Sequence, residues 1–179
     1  MNKGILAALI LFFSVTYANA QLGAMKLVGK NTRDYKLGFG AFLKTGFPVS
    51  EGSDITLEGG VNIFLLDDSY GSGDGTIMCP LKAGYRFTLN KTGQGLYVEP
   101  QAGFNLYGLT SLHDVDGYAI DLKYHGVVFA AGTGYLFTLW NQPFDLNFRY
   151  ETVIAHGGSN NFITLGISRF ISFNKRDAE

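Results

Sequence analysis

The chain has 179 residues and a net charge of −1 at pH 7, and only 16% of its residues are charged while 24 are glycine. The balanced charge argues against a nucleic-acid partner, because proteins that bind nucleic acids carry a clustered basic surface. Soluble domains contain about 25% charged residues, so the low charged fraction indicates that something other than water contacts much of the surface. The single cysteine, Cys79, excludes an internal disulfide.

The first twenty residues have the features of a secretory signal peptide. Lys3 gives a positive start, residues 5–15 form an apolar run, and Ala18-Asn19-Ala20 is a cleavage site of small residues. The apolar run is too short to cross a hydrocarbon core of about 30 Å as a helix. We therefore expect residues 1–20 to be removed and residues 21–179 to form one domain.

Beyond the signal segment, apolar residues recur at every second position, which predicts strands rather than helices. Seven runs alternate clearly: 35–44, 55–65, 77–88, 96–106, 127–138, 144–154 and 162–173. Turns rich in Gly, Asn, Asp, Ser or Pro separate them. Residues 22–30 alternate weakly and are the candidate for a further strand at the N-terminus.

The two faces of these strands distinguish two architectures. One face is apolar, and the other mixes charges of both signs with many glycines, including Gly38, Gly60, Gly103 and Gly134. Glycine weakens a solvated strand, but it leaves room inside a narrow lumen. We therefore predict an all-β fold, an eight-stranded antiparallel up-and-down transmembrane β-barrel, with the apolar face toward lipid. The eighth strand is required because a bacterial barrel of this kind has an even number of strands, and we predict that residues 22–30 form the first strand.

Charges inside such a lumen must be paired. The predicted lumen polar network consists of Glu58, Lys82, Arg86, Glu99, Arg149 and Glu151. The turn NKTGQG places Arg86 opposite Glu99, and the turn WNQP, taken as a four-residue loop, places Arg149 opposite Gly134.

Aromatic residues at the strand ends beside the turns PVSEGS, NKTGQG and WNQP predict an interfacial girdle. The girdle residues are Phe47, Phe87, Trp140, Phe144 and Phe173. The connections at 31–34, 67–75, 110–125 and 156–161 then lie outside, and the other three lie in the periplasm. Pro80 and Pro100 fall within strands and predict local bulges, while Arg169 falls on the lipid-facing side near the periplasmic end.

The chain resembles the small outer-membrane β-barrel proteins of Gram-negative bacteria, the eight-stranded OmpA-like and adhesin-like group. The resemblance rests on the signal segment, on LKAGYRF, GLYVEPQAGFNLYG and AAGTGYLF, and on the last strand ITLGISRFISF. It implies an outer-membrane location, contact with outer-membrane lipids and with the barrel-assembly machinery, and a structural or surface-interaction role for the external loops. Such barrels typically end on the aromatic residue, whereas NKRDAE follows Phe173 here. We expect a monomer and an unidentified surface ligand or host partner.

Three other functions stay open. His156 and Ser159 invite comparison with lipid A deacylases, but their spacing is His-x-x-Ser rather than His-x-Ser, and the nearest acid, Glu151, points to the opposite face. A small pore is disfavoured because eight strands enclose a lumen that side chains can fill. A soluble lipocalin-like ligand-binding barrel would turn the apolar faces inward. We expect that this protein is not an enzyme.

Two loop segments carry residue types that can bind metal ions. His113, Asp114, Asp116 and His125 lack the tight spacing of metal ligands. The segment DSYGSGDG has the composition of a calcium loop but lacks its terminal bidentate glutamate. We therefore expect neither a metal nor a cofactor.

Overall fold

A computed structural model describes residues 17–29, 35–66, 75–90, 94–113, 119–156 and 158–172. The strands are β1 (Tyr17–Val28), β2 (Tyr35–Ser50), β3 (Ser53–Leu66), β4 (Gly75–Thr88), β5 (Gly95–His113), β6 (Ala119–Leu139), β7 (Gln142–Ala155) and β8 (Gly158–Ser172). Each strand pairs antiparallel with the next, and β8 pairs with β1, so the sheet closes into a barrel. The predicted fold class is confirmed. The described residues contain no helix that is long and apolar enough to cross a membrane.

Side chains alternate between the lumen and the exterior. Leu43 and Phe104 point outward and are 67% and 62% exposed, whereas Glu58 and Lys82 point inward and are each 1% exposed. Water-soluble proteins show the reverse distribution, because charged side chains are almost never fully buried in them unless they are paired. The exterior therefore suits lipid, and the soluble lipocalin-like alternative is wrong for this chain.

The first strand begins earlier than predicted. It occupies Tyr17–Val28 rather than 22–30, and it is followed by Gly29, whose φ of 140° is uncommon for other residues. Tyr17 pairs with Ser172 and Ala18 pairs with Thr45, so the last residues of the predicted signal segment continue the barrel wall. Cleavage after Ala20 stays a prediction.

Two predicted external loops are largely strand. In the segment 110–125, β5 continues to His113 and β6 begins at Ala119. The two strands are held together by cross-strand pairs such as Thr110 with Leu122, which agrees with the weak alternation of the sequence. In the segment 156–161, His156 is a turn residue and β8 already begins at Gly158. Ser159, which composition assigned to that turn, pairs instead with Ile154 in the β7–β8 ladder.

The WNQP turn closes on two residues rather than four. Trp140 and Asn141 have φ of 50° and 55°, the left-handed values that a two-residue type I′ hairpin requires. The shorter turn places Arg149 opposite Gly132, so the predicted pairing with Gly134 is wrong.

The two prolines within strands behave differently. The register between β4 and β5 shifts between Cys79 and Pro80, which is the bulge expected there. No bulge accompanies Pro100: it pairs with Ala131, and the register with β4 is the same on both sides of it. Pro100 lies on the exterior, where the ladder loses a hydrogen bond without changing register.

Candidate functional site

The lower part of the lumen, toward the short turns, is filled by eight ionisable side chains that we call the charged layer. They are Lys44, Glu58, Lys82, Arg86, Glu99, Asp145, Arg149 and Glu151, and all are buried. Four carry positive charge and four carry negative charge, so the layer is neutral when all are ionised. Burying these charges is tolerable because each has partners of opposite sign.

Glu58 is the centre of the charged layer. Arg149 Nη1 lies 2.8 and 2.7 Å from its two carboxylate oxygens, and Lys82 Nζ lies 2.9 Å from Oε1. Lys44 Nζ lies 3.8 Å from Oε2. One carboxylate thus contacts cations from three different strands, which links distant parts of the barrel wall.

Glu99 forms a second cluster. It accepts from Lys44 Nζ at 2.5 Å and from Arg86 Nε at 3.2 Å. Thr56 Oγ1 and Gln101 Nε2 donate to its other oxygen at 2.7 and 2.9 Å. Both carboxylate oxygens are therefore occupied, as a buried charge requires.

The remaining two acids complete the layer. Glu151 lies 2.5 Å from Lys82 Nζ and 3.0 Å from Arg149 Nε. Asp145 accepts from Arg86 Nη2 at 3.2 Å and from Tyr97 Oη at 2.7 Å. All six predicted network residues lie in this layer. Sequence reasoning left Lys44 and Asp145 out of the network, although the alternation of their strands already placed both on the inward face.

Glycine at position 134 makes room for these side chains. A Cβ added at Gly134 would lie 2.5 Å from Cζ and Oη of Tyr97, and this overlap would force the ring to move. The guanidinium of Arg86 covers the same ring at 4.4 Å from its centre, a cation–π contact. A larger residue at position 134 would therefore displace a partner of both Asp145 and Arg86.

The upper part of the lumen is closed by hydrophobic side chains, which we call the apolar layer. They are Met25, Leu27, Phe42, Phe64, Met78, Val128, Val153 and Phe162. Phe64 and Phe162 meet edge to face with ring centres 5.3 Å apart. Sequence reasoning predicted a polar lumen and missed this layer. The sequence showed this layer through inward-facing apolar residues such as Phe42, which stands between Gly40 and Lys44 on the polar face of its run.

Phe42 joins the two layers. Lys82 Nζ and the Arg149 guanidinium lie 5.4 and 5.3 Å from the centre of its ring. Both cations belong to the charged layer, so the ring both covers the ion pairs and attracts their positive members.

Gaps within the charged layer are small. One of about 10 Å³ is bordered by Tyr97, Glu99 and Arg149, and one of about 60 Å³ is bordered by Asn19, Lys44 and Arg86. A water molecule occupies about 30 Å³ of liquid volume, so the larger gap has room for about two waters. Gaps of this size are unlike the aqueous channel of a large barrel.

The predicted girdle residues lie near the short turns. Trp140 is 84% exposed and Phe87 is 38% exposed, both on the exterior. Phe144 stacks on Phe137 with ring centres 5.8 Å apart, and Phe47 is half-buried at the end of β2. Phe173 lies outside the described residues.

The hydrolase candidates do not form a catalytic arrangement in the described geometry. His156 is exposed in the β7–β8 turn, and Ser159 is exposed on β8. Glu151 lies inside the lumen, bound to Lys82 and Arg149. It therefore points away from His156 and cannot orient that imidazole as a third catalytic group would.

The loop metal candidates are also separated. Asp114 and Asp116 lie outside the described residues, and His113 ends β5. His125 lies on β6 with an exposed side chain. No group of three or more His, Cys, Asp or Glu that could hold a metal ion occurs among the residues that the structure describes.

In the β5–β6 hairpin, β6 extends beyond its neighbour β7. Its strands have 19 and 21 residues, against 12 to 16 for the others. Gly126 pairs with Ala155, the last residue of β7, so residues 119–125 of β6 extend past the end of that strand. At about 3.3 Å per residue this is about 23 Å of strand.

Comparison with known proteins finds solved structures of similar fold and low sequence identity. No family model matches the chain, and no curated protein matches it. Among solved structures it is similar to Ail, the attachment invasion locus protein of Yersinia pestis, with a TM-score of 0.59 at 14% identity over 87% of this chain and 96% of that one. Another structure holds Ail in complex with the heparin analogue sucrose octasulfate.

Two further structures are similar to the same extent. The N-terminal β-barrel domain of Pseudomonas aeruginosa OprF has a TM-score of 0.58 at 14% identity, covering 87% of this chain and 98% of that one. Neisserial surface protein A has a TM-score of 0.57 at 12% identity, covering 88% and 96%. Together with the apolar exterior and the closed strand order, these likenesses identify the fold as that of an eight-stranded outer-membrane β-barrel.

Proposed function

We propose that this protein is a non-conducting surface-interaction barrel of the outer membrane, in which the sealed lumen supports a projecting β5–β6 hairpin. The projection of residues 119–125 past the end of β7 carries the proposal. On the other side, β4 supports the hairpin as far as the pair of Gly75 with Ser111. The hairpin is thus anchored along one strand, while β6 presents an edge that β7 does not pair.

Residues 119–123 of this edge suggest how a partner would bind. A strand edge presents N–H and C=O groups that can pair with another chain. An extended segment of a partner protein can add to such an edge, with main-chain hydrogen bonds supplying affinity and side chains supplying specificity. Leu122, 54% exposed, and the exposed Lys123 are the side chains that such a partner would meet beside residues 119–123.

The charge of the hairpin argues against a sulfated sugar as the ligand. Residues 109–124 contain three aspartates, at 114, 116 and 121, and one lysine. An anionic polymer such as heparin would be repelled by this excess of negative charge. We therefore do not propose that this chain binds a sulfated sugar such as the heparin analogue bound by Ail. An extended polypeptide is the better candidate for the ligand of the hairpin.

The orientation of the hairpin can be tested by labelling. In a Cys79→Ser background, Lys123→Cys places a thiol on the hairpin, and Asn141→Cys places one in the β6–β7 turn as a matched control. A membrane-impermeant maleimide added to intact cells is expected to label the first and not the second. Labelling of Asn141→Cys alone would invert the topology and contradict the proposal.

Binding can be tested with two hairpin variants. In one, residues 109–123 are replaced by Asn-Gly, which joins the paired residues Gly108 and Tyr124 by a short hairpin turn. In the other, Lys123→Pro removes an N–H from this edge of β6. Cells expressing each form are tested for attachment to two immobilised unfolded proteins, acidic casein and basic reduced lysozyme, with heparin as the anionic control.

The proposal expects wild-type cells to bind one of the protein surfaces but not heparin. Both variants should lose this binding while keeping the heat-dependent gel mobility of a folded barrel. Binding that is unchanged in the trimmed variant, or absent from wild-type cells on every protein surface, would contradict a role of the hairpin.

The other functions are less well supported. A pore needs a continuous aqueous path, whereas the charged and apolar layers fill successive lengths of the lumen. A hydrolase needs a base held by a third group, and Glu151 is engaged inside the barrel. Around the barrel, the apolar exterior is expected to contact outer-membrane lipids, and the chain is expected to be assembled as a monomer by the barrel-assembly machinery.

A further inference from the structure

Two of the chain's three histidines border one groove at the outer rim. The β6–β7 ladder pairs Val127 with Ile154 and ends with the pair of Gly126 and Ala155. His125 precedes Gly126 and His156 follows Ala155, so the two histidines stand beside the same end of this ladder. Side chains of facing strands that lie beside each other can contact one another, so we expect the two imidazoles to be within reach of one ion.

The pair stands at the boundary of the apolar exterior. Both histidines are exposed, and both border one groove of about 430 Å³. Below them the groove is lined by Phe104, Leu106, Val127 and Ile154. On both strands the histidine is thus the first polar side chain beyond the hydrophobic band, where solvent and solutes can reach it.

The protonation pattern of His125 is set by a backbone contact. Its Nδ1 lies 2.6 Å from the carbonyl oxygen of Leu106. A carbonyl only accepts, so Nδ1 carries the hydrogen and donates it, which leaves the Nε2 lone pair of the neutral ring available. Histidines that bind metals almost always make such a second hydrogen bond, which fixes the tautomer and the ring orientation.

A β-bulge creates this contact. Between the pairs of Asn105 with Gly126 and Gly108 with Tyr124, two residues of β5 stand against the single residue His125. Bulges re-aim groups at sheet edges and beside functional sites. Here the bulge brings the Leu106 carbonyl to the imidazole, which a regular ladder would not do.

The geometry points to a two-histidine site for a borderline divalent transition-metal ion such as Zn²⁺, Ni²⁺ or Cu²⁺, bound by His125 Nε2 and by an imidazole nitrogen of His156. Neutral imidazole suits these ions, and oxygen-preferring Ca²⁺ and Mg²⁺ are excluded by the donor set. No third His, Cys, Asp or Glu joins the pair among the described residues. Two protein ligands leave positions open for water or for donor atoms of a molecule outside the cell.

The test uses the full chain folded in detergent micelles and titrated with Zn²⁺ against a competing indicator. Wild type should bind one ion per chain, and His125→Ala or His156→Ala should each weaken binding by at least about tenfold. His113→Ala, which alters the third histidine, is the matched control and should bind like wild type. Gel mobility before and after heating verifies that each variant is folded.

Two further measurements separate this site from incidental binding. Bound Cu²⁺ should show hyperfine coupling to two imidazole nitrogens in its electron paramagnetic resonance spectrum, and to one in each single variant. Lys123→His adds an imidazole two residues along the same face of β6, and it should tighten Zn²⁺ binding. The inference is overturned if wild type binds no ion, if the His125→Ala/His156→Ala double variant keeps wild-type affinity, or if His113→Ala weakens binding equally.

Discussion

The charged layer and the apolar layer fill successive lengths of one lumen, but they depend on geometry to different degrees. In the charged layer, Glu58 satisfies Arg149 and Lys82 at 2.7 to 2.9 Å, and these contacts require each atom to be in place. In the apolar layer, rings such as Phe64 and Phe162 pack without directional bonds. The comparison teaches that a barrel can be sealed at one level by matched charges and at the next by shape alone.

The largest effect is expected from removing the central charge. Glu58→Gln leaves Arg149 and Lys82 buried with less negative charge, so we expect a loss of about 3–5 kcal/mol in the free energy of unfolding. Urea titration in lipid vesicles measures it. Glu51→Gln, in the exposed β2–β3 turn, is the control and should leave the midpoint unchanged. Equal midpoints for both variants would show that the charged layer does not hold the barrel together.

A double-mutant cycle sharpens the comparison within the charged layer. Lys82→Met and Glu151→Leu each leave a buried charge with fewer partners, whereas the double variant removes the 2.5 Å pair as a whole. We expect the double variant to be more stable than the sum of the single losses predicts, with a coupling of about 2 kcal/mol. Additive losses would mean that the two side chains act independently despite their contact.

The apolar layer should tolerate a change of shape better than the charged layer tolerates loss of a charge. Phe162→Leu keeps a hydrophobic side chain but leaves a gap beside Phe64, so we expect a loss of about 1–2 kcal/mol. Phe148→Leu, on the lipid-facing side, is the matched control and should cost less, because lipid fills the space. A loss from Phe162→Leu as large as that from Glu58→Gln would remove the contrast between the layers.

The smallest change in the free energy of unfolding is expected in the β6–β7 turn, which lies outside both layers and serves as a reference for them. Asn141 has a φ of 55°, which glycine adopts freely and alanine does not. Asn141→Ala should cost about 1 kcal/mol, whereas Asn141→Gly should be close to neutral. If both substitutions behaved alike, the two-residue turn would not be the conformation that sets the β6–β7 register.

Much of the barrel follows from the sequence alone. Alternation placed Glu99, Arg149 and their neighbours on the inward face, because each strand has the same two-residue period whatever surrounds it. The first strand was predicted because seven strands were clear and a barrel of this kind needs an even number. These are local or topological rules that one chain displays directly.

The remaining features depend on contacts between strands. Composition placed Ser159 in a loop, but pairing with Ile154 makes it part of β8. The predicted cross-strand partner of Arg149 was wrong by two residues, Gly134 instead of Gly132. The reason is that Trp140 adopts a left-handed conformation, which is unusual for this residue type and could not be predicted from its side chain. The apolar layer was missed because alternation shows which residues point inward but not the height at which they meet.

The measurement that tests the account most directly is ionic conductance. Purified protein, folded as shown by its gel mobility, is inserted into planar lipid bilayers and held at constant voltage. Because the charged and apolar layers together fill the lumen, we predict no stable conductance above that of the protein-free bilayer. A steady, reproducible conductance step from the folded wild-type protein would contradict the sealed lumen and make the protein a pore.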